Sequence, residues 1–450
     1  MVRASPGQTV QNPVLSVAHD SLRARFARGA LWSLLGALTS QGLGLAASVV
    51  TARLLGKEEF GALGMIQSTV GMLGVFAGMG LGLTATKYVA EYQTTNRERA
   101  GRIIALTSGA AVLTSGCVSV ALLLFAPFLA AKTLNAPHLA TELRIACALL
   151  FLNTMGGAQT GGLSGFEAFK AIAHVNLLRG LLTFPLVIAG VLLWRLPGAV
   201  CGLVCAAGLS CLLNHIALSR RCADIGIAVR WSEAWTERQV LWTFSVPALL
   251  SGAMVGPISW LATAILVNQP NGYAEMGLFY AASQWRAAIT FLPAVLGQCA
   301  FPILSNLHGQ NRFGQYREVL WWNIFLTVGT ASCVAIPVVL GSPTIMRLYG
   351  SSFEDGWLVL ALSAGVAILV CLNGALGCAI ISARSIWICC LFNGMWGVAL
   401  VSCALSLVPK GLALGLATSF LLAYAAHAAW QGIYVLRTAR SRAPGGPAPC

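Results

Sequence analysis

The sequence predicts an all-α integral membrane protein of about twelve transmembrane helices with both termini in the cytoplasm. Three observations predict it: the composition, the length of the charge-free runs and the distribution of the basic residues. Apolar residues make up 57% of the 450 and charged residues only 9%, whereas a soluble domain carries about 25% charge. Only helices and closed barrels satisfy the backbone in lipid, and the apolar runs are too long for barrel strands.

Eleven runs of the chain contain no Asp, Glu, Lys or Arg. Each can hold a helix of ~20 apolar residues, the length that a bilayer requires. A twelfth span is predicted at about Ala171–Trp194, where Arg179 interrupts the apolar pattern. The eleven runs are Gly29–Ala52, Phe60–Thr86, Ile103–Ala131, Ile145–Phe166, Leu196–Ser219, Gln239–Ala274, Ala287–Asn311, Val319–Met346, Gly356–Ala383, Ser385–Pro409 and Gly411–Leu436.

The basic residues indicate the orientation. With twelve spans and the N-terminus inside, nineteen of the 28 Lys and Arg residues fall on the cytoplasmic side, seven on the outer side and two, Arg179 and Arg286, within spans. This bias follows the positive-inside rule. In a soluble protein, a net charge of +14 would indicate nucleic acid binding. Here it predicts topology and affinity for anionic lipid headgroups, so membrane lipids are expected partners and nucleic acid is not.

The two halves of the chain resemble each other weakly. FLNTMGG at 151–157 aligns with CLNGALG at 371–377, and ALW at 30–32 with VLW at 240–242. Halves of six spans share one orientation, and transporters built this way place the substrate between the halves near the midplane. The predicted segments are a cytoplasmic N-terminal segment at 1–28 without the features of a signal peptide, a six-helix bundle at 29–220, a cytoplasmic linker at 221–239, a second six-helix bundle at 240–436 and a disordered cytoplasmic tail at 437–450.

The eighth span contains an arginine, Arg286, among Ala, Leu and Phe. Insertion of an arginine at a helix centre costs ~2.5 to 3.5 kcal/mol on translocon scales, so some interaction must offset that cost. On a helix, one stripe beside Arg286 is small and polar, and we expect the guanidinium to point toward a bundle interior or an aqueous cavity. That stripe consists of Ser283, Thr290, Pro293 and Gly297, and the side predicted to lie opposite carries Phe279, Ile289, Leu292 and Leu296.

The charge of Arg286 has no evident partner in the sequence. No Asp or Glu lies centrally in a proposed span. A planar guanidinium in a water-filled cavity suits phosphate or carboxylate, so the pattern indicates an anionic ligand. The acidic residues nearest to the spans, all close to span ends, are Glu142, Glu167, Glu275 and Glu354.

Other polar positions inside the spans are weaker candidates. Gly157-xxx-Gly161-xxx-Gly165 favours close helix packing over substrate contact, and Arg179 fits a side chain that reaches the cytoplasmic interface. The asparagines of the two repeats fit packing and substrate contact equally. The fourteen Cys are scattered without a CxxC pair, so we expect no metal site and no cofactor. The predicted substrate-binding residues are Arg286, Arg179, Asn153, Thr290, Gln284, Asn373 and Ser40.

Four stretches carry a resemblance to a known family. They are TARLLGKEEFGALGM at 51–65, KYVAEYQTTNRERAGRII at 87–104, LSGFEAFKAIAHVN at 163–176 and FYAASQWRAAITFLPAVLGQCAFPILS at 279–305. The sequence resembles the polysaccharide biosynthesis, or O-antigen (Wzx-type), flippases of the multidrug/oligosaccharidyl-lipid/polysaccharide exporter superfamily. The resemblance covers about residues 29–440 and does not distinguish between substrates.

The resemblance implies two six-helix bundles that face a central cavity. It further implies movement of a polyprenyl-diphosphate-linked oligosaccharide across the bacterial inner membrane by alternating access, for export of a cell-surface or extracellular polysaccharide. A polysaccharide polymerase and export machinery would then be partners. The resemblance implies that Arg286 is a cation of the central cavity. It implies the same role, less securely, for Arg179, Arg144 and Arg53. The acidic cavity residues of ion-coupled drug exporters have no clear counterpart here.

Three alternatives differ from the flippase in what they require. A multidrug or small-solute exporter of the same superfamily would require a membrane-embedded carboxylate for coupling to a cation. A membrane enzyme, such as a polymerase or ligase, would need a large outer loop with catalytic residues, and the predicted outer loops are small. A scaffold would not need polar stripes inside its spans. We therefore predict a transporter and not an enzyme.

Overall fold

The chain folds almost entirely into helices. A computed structural model describes residues 13–246, 249, 254–383 and 385–441. Within these residues there is no β-strand, which confirms the all-α prediction. The helices are α1 (Pro13–Gly78), α2 (Leu81–Tyr92), α3 (Arg97–Phe128), α4 (Ala140–Gly165), α5 (Phe169–Ile225), α6 (Val255–Val267), α7 (Gly272–Gly309), α8 (Phe313–Leu340), α9 (Ser342–Tyr349), α10 (Trp357–Ser382) and α11 (Ile386–Ser441).

The helix ends differ from the predicted segments. Helix α1 begins inside the predicted N-terminal segment, whose residues 1–12 lie outside the described residues, and α5 continues through the predicted linker boundary to Ile225. Helix α11 continues to Ser441, so the first residues of the predicted tail are helical. The rest of that tail, residues 442–450, lies outside the described residues.

Eight stretches of the described chain are long and apolar enough to cross a membrane. Their composition explains why they form: each exposes apolar side chains to lipid while its backbone groups pair internally. Helix α6 is apolar but shorter. The eight stretches are Leu38–Gly78, Arg97–Thr133, Pro137–Gly165, Phe169–Ile225, Gly272–Gly309, Phe313–Leu340, Ser351–Ser382 and Trp387–Thr438.

Helices α1, α5 and α11 each contain a break with left-handed backbone, at Gly56 (φ 80°), Arg195 (φ 51°) and Leu412 (φ 48°). At the second break the chain folds back on itself. This is shown by the close approach of the two arms, since a Cβ at Gly190 would lie 2.1 Å from the carbonyl oxygen of Gly198. The same holds at the third, where a Cβ at Gly415 would lie 2.2 Å from the carbonyl oxygen of Leu407. Each long helix is thus a pair of helical arms.

We expect Gly190→Ala to destabilise the hairpin of α5. The added methyl group would overlap the backbone of the opposite arm, and overpacking of this kind costs about 1–3 kcal/mol. Thermal unfolding of the purified protein in detergent should show a lower Tm. Gly208→Ala, on the same helix, is the matched control, because its Cβ would meet Leu152 at an ordinary 3.6 Å. Equal Tm values for the two variants would contradict the prediction.

The helices form two groups, α1–α5 and α6–α11, which meet chiefly where α1 packs on α7. Two side chains of the second group bond to main-chain oxygens of the first. Asn268 Nδ2 donates to the Thr133 oxygen at 2.8 Å, and the Tyr273 hydroxyl donates to the Leu134 oxygen at 2.9 Å. Close to these bonds, the Phe60 ring packs on Tyr280 with centroids 4.9 Å apart. The end of the molecule that carries the break at Gly56 is therefore closed between the groups.

At the other end, the linker between the groups is held by ion pairs. A short helical turn at Ala234–Glu237 places Glu237, which is buried, 3.0 Å from Arg99 Nε and 3.4 Å from Arg102. Arg102 also pairs with Glu233 at 3.2 Å. Since both arginines lie in the first turns of α3, the linker is fixed to the first group of helices.

Candidate substrate site

Arg286 lies deep within α7, fourteen residues from its start and therefore about 21 Å along the helix axis. Its guanidinium carbon lies 5.8 Å from the centroid of the Phe279 ring and 5.1 Å from that of Phe420 on α11. These rings stack on each other with centroids 5.6 Å apart. The expectation that Phe279 lies opposite Arg286 is wrong, because a separation of seven residues is nearly two full helical turns.

The contacts of Arg286 with other described side chains are cation–π contacts. No N–H group of its guanidinium donates a hydrogen bond to, or forms a salt bridge with, another described side chain. A cation–π contact contributes about 0.5–1 kcal/mol at an exposed site and about 2 kcal/mol or more when desolvated. Two such contacts offset part or all of the ~2.5 to 3.5 kcal/mol insertion cost, but they satisfy none of the guanidinium N–H groups. The half-buried guanidinium therefore keeps donors free for an anionic ligand or for water.

Asn373 belongs to the same neighbourhood as Arg286. Its Nδ2 donates to the main-chain oxygen of Tyr424 at 3.0 Å, and the Tyr424 ring stacks near that of Phe420 with centroids 6.3 Å apart. The Oδ1 of Asn373 is buried and has no partner among the described residues. The fold thus connects α7, α10 and α11 through an aromatic cluster beside Arg286.

The other predicted residues have surroundings that differ from one another. Arg179 and Asn153 are exposed on α5 and α4, so Asn153 and Asn373 are not equivalent despite the repeat. The Thr290 hydroxyl donates to the main-chain oxygens of Arg286 and Ala287, both at 3.1 Å. Ser40 packs against α5, where a Cβ at Gly180 would lie 2.8 Å from its Cα.

The glycine motif of α4 has the predicted packing role. A Cβ at Gly161 would lie 2.2 Å from the main-chain oxygen of Gly82 on α2, and a Cβ at Gly165 would lie 2.7 Å from Val89. Only small residues permit this approach. The prediction of close helix contact is confirmed for Gly161 and Gly165, whereas a Cβ at Gly157 would meet no described atom within 4 Å.

Gln284 lines a separate cavity of about 180 Å³ on another side of α7. We call it the amide pocket. Its polar lining comes from both arms of α1, from α5 and from α7, and none of the described residues that line it is charged. The lining residues with polar side-chain groups are Gln41, Ser48, Thr51, Gln67, Thr183, Tyr280 and Gln284.

Helix α7 therefore separates two polar environments. Gln284 and Arg286 are two residues apart, so their side chains point about 200° apart around the helix. One faces the neutral amide pocket, and the other faces the aromatic cluster of α11. A single ligand with a charged and an uncharged polar part could contact both environments around α7.

Sequence reasoning missed the aromatic and amide partners of these two environments. Phe420 and Tyr424 follow i, i+4 spacing in the last span, and Gln41 and Gln67 are amides inside apolar runs. Polar side chains within a span face protein or cavity rather than lipid. Applied to the sequence, that rule predicts that Gln41 and Gln67 face protein or a cavity. Phe420 and Tyr424 could not be recognised in this way, because their i, i+4 spacing is also that of an ordinary apolar helix face.

The family model for the polysaccharide biosynthesis proteins matches residues 26–308, more than half of the chain. Among curated proteins, the chain is similar to the EPS I polysaccharide export inner membrane protein EpsE of Ralstonia nicotianae, with 24% identity over 64% of this chain. The matched part spans 65% of the length of that relative.

Solved structures with the same fold are transporters. The chain is similar to an inward-facing multidrug resistance MATE family transporter of the MOP superfamily, with a TM-score of 0.73, 15% identity and coverage of 92% of this chain and all of the other. It is also similar to the Vibrio cholerae MATE transporter VcmN, in a mutant form, with a TM-score of 0.68, 14% identity and coverage of 94% and 98%. These likenesses establish the fold.

The apolar helices and the comparisons together place the protein in the inner membrane as a multi-pass protein. The family match covers the first group of helices and reaches through most of α7, so it includes both Gln284 and Arg286. The chain belongs to the polysaccharide biosynthesis protein family.

Proposed function

We propose that the protein is a flippase that moves a polyprenyl-diphosphate-linked oligosaccharide across the inner membrane, for export of an extracellular or cell-surface polysaccharide. The observation that carries this proposal is the guanidinium of Arg286, which lies at membrane depth without an acidic partner among the described side chains. A diphosphate supplies the missing anion, because guanidinium binds phosphate oxygens in bidentate geometry. The prenyl chain can remain in lipid while the sugars cross.

Twelve transmembrane helices fit this role. The breaks at Gly56, Arg195 and Leu412 divide the three longest helices into two arms each. The five other long apolar stretches and the shorter α6 complete a set of twelve, with six in each group. An even number of crossings in each group puts both termini on the same side, which the positive-inside rule identifies as the cytoplasm.

Alternating access fits the contacts between the two groups. The bonds of Asn268 and Tyr273 and the packing of Phe60 close the end that this topology places outside. A ligand could then reach Arg286 from the cytoplasmic side, and opening of the outer end would release it. The name of the Ralstonia relative supports polysaccharide export as the pathway, and a polymerase with its export machinery would take up the product.

The test is transbilayer movement in proteoliposomes that contain a fluorescent polyprenyl-diphosphate oligosaccharide from a native pathway. We expect the purified protein to move the lipid, measured by the fraction of label that becomes accessible to a membrane-impermeant quencher. Protein-free liposomes are the control. Lack of movement, also under an imposed proton or sodium gradient, would contradict the proposal.

A multidrug or small-solute exporter is the second candidate, because the solved structures with this fold include multidrug transporters. Such an exporter would require a carboxylate within the membrane. Glu142 is buried, but it lies in the first turn of α4 at the end of a span. Gradient-driven transport of a cationic dye by liposomes that do not move the lipid-linked sugar would favour this candidate.

A further inference from the structure

The amide pocket has the composition of a site for a neutral, hydroxyl-rich ligand. Amides both donate and accept hydrogen bonds, and hydroxyl groups do the same, so they match adjacent sugar hydroxyls. Gln41, Gln67 and Gln284 supply the amides around a cavity of about 180 Å³. A charged ligand would lose its hydration there without gaining a counter-charge from the described side chains that line the cavity, because these are all uncharged.

One buried hydroxyl in the pocket lacks a partner. Thr51 is only 2% exposed, and its Oγ1 forms no hydrogen bond with any described residue. A threonine in a helix commonly bonds to the preceding turn of its own backbone, as Thr69 does with the main-chain oxygen of Met65 at 2.9 Å. Leaving a buried hydroxyl unsatisfied costs free energy, so the position is suited to a ligand that completes the bond.

Aromatic rings form part of the pocket wall. Tyr280 and Phe60 line it with their centroids 4.9 Å apart. Gln284 lies one helical turn from Tyr280 on α7, so both side chains face the same side of that helix, and Gln67 joins them in the lining. A pyranose combines apolar C–H faces with a polar rim, so its apolar faces suit the hydrophobic part of the wall while its hydroxyls bond to the amides.

The geometry points to the amide pocket as a binding site for the neutral pyranose rings of the transported headgroup, separate from the phosphate site at Arg286. This inference rests on the proposed function. Gln41 and Thr51 lie on one arm of α1, about 15 Å apart along the helix, so they would contact different rings. Gln67 lies on the other arm. Because Gln284 belongs to α7, a sugar in the pocket would touch both groups of helices. The amide pocket would then recognise the sugar, and Arg286 would bind the diphosphate.

The test is equilibrium binding to the full-length protein in lipid nanodiscs. The probes are a bare polyprenyl diphosphate and the same lipid carrying glucose, galactose, N-acetylglucosamine or N-acetylgalactosamine. We expect wild type to bind at least one sugar-bearing lipid about tenfold more tightly than the bare lipid, equivalent to ~1.4 kcal/mol. The double variant Gln41→Leu, Gln284→Leu should lose that preference and keep its affinity for the bare lipid. Gln310→Leu, at an exposed glutamine outside the pocket, is the matched control.

The variant Thr51→Val provides a second test, because its expected result differs from the result expected if Thr51 has a purely structural role. It removes the unpartnered hydroxyl and keeps the shape, so the Tm of the unliganded protein should rise or stay constant. Affinity for a polyprenyl diphosphate that carries two of the preferred sugars should fall several-fold. A lower Tm together with unchanged affinity would assign Thr51 to the structure and contradict its role as a ligand.

The outcomes separate the inference from the function on which it rests. If wild type binds neither bare nor sugar-bearing lipid, the proposed function fails and the inference fails with it. If both lipids bind but no sugar is preferred, or if the glutamine variants keep the preference, the inference alone is overturned. If free monosaccharide binds as tightly as the lipid-linked sugar and the glutamine variants abolish this, the pyranose site stands and its ligand is a soluble sugar.

Discussion

Arg286→Ala should reduce transbilayer movement of the lipid-linked oligosaccharide at least a hundredfold at matched protein levels. Loss of a charge-assisted contact to the diphosphate costs about 1.5–3 kcal/mol, and loss of a buried charge partner costs more. Arg286→Lys should retain part of the activity, because it keeps the charge and loses the bidentate geometry. The measurement is the initial rate of lipid movement in proteoliposomes.

Two comparisons make the prediction for Arg286 specific. Arg221→Ala removes an exposed arginine from α5 that is not among the candidate cavity cations, and it should leave the rate near that of wild type. Thermal unfolding of Arg286→Ala should show a folded protein, since the substitution leaves Phe279 and Phe420 stacked on each other. Normal movement by a well-folded Arg286→Ala protein would reassign the arginine to helix packing.

Gly61→Ala should slow the same movement strongly by opening the closed end of the molecule. A Cβ at Gly61 would lie 1.9 Å from the main-chain oxygen of Tyr273, so α1 and α7 could not remain in contact. Overpacking costs about 1–3 kcal/mol, which lowers the population of the closed state roughly 5- to 150-fold. A transporter that works by alternating access needs that state in order to accept its next substrate.

Hydrogen–deuterium exchange tests the structural part of this prediction. Exchange should become faster in residues 57–64 and 273–280 of Gly61→Ala, and the rest of the molecule should keep its protection. Gly74→Ala, on the same arm of α1, should alter neither exchange nor movement, because its Cβ would meet Leu150 at an ordinary 3.7 Å. Unchanged exchange in Gly61→Ala would show that the contact is not needed for closure.

The candidate site was only partly accessible to sequence reasoning. The charge within the eighth span selected Arg286, and Gln284 stood among the predicted substrate-binding residues; the structure places the two side chains on different sides of α7. Their roles stay predictions. The same reasoning put Phe279 on the wrong side, although a period of 3.6 residues would have placed it beside Arg286. It also treated the two repeat asparagines alike, and their surroundings differ.

By itself, the sequence determined that the chain is a membrane protein, that the fold is all-helical and that two cations, Arg179 and Arg286, fall within its predicted spans, since composition, run length and charge are local properties of the chain. Only the tertiary structure decided what those side chains touch. Phe420 lies more than a hundred residues from Arg286, and the amide pocket combines α1, α5 and α7. The rotation of each helix about its axis is set by packing at contacts such as Gly61 with Tyr273, and local periodicity does not encode which neighbour each face will meet.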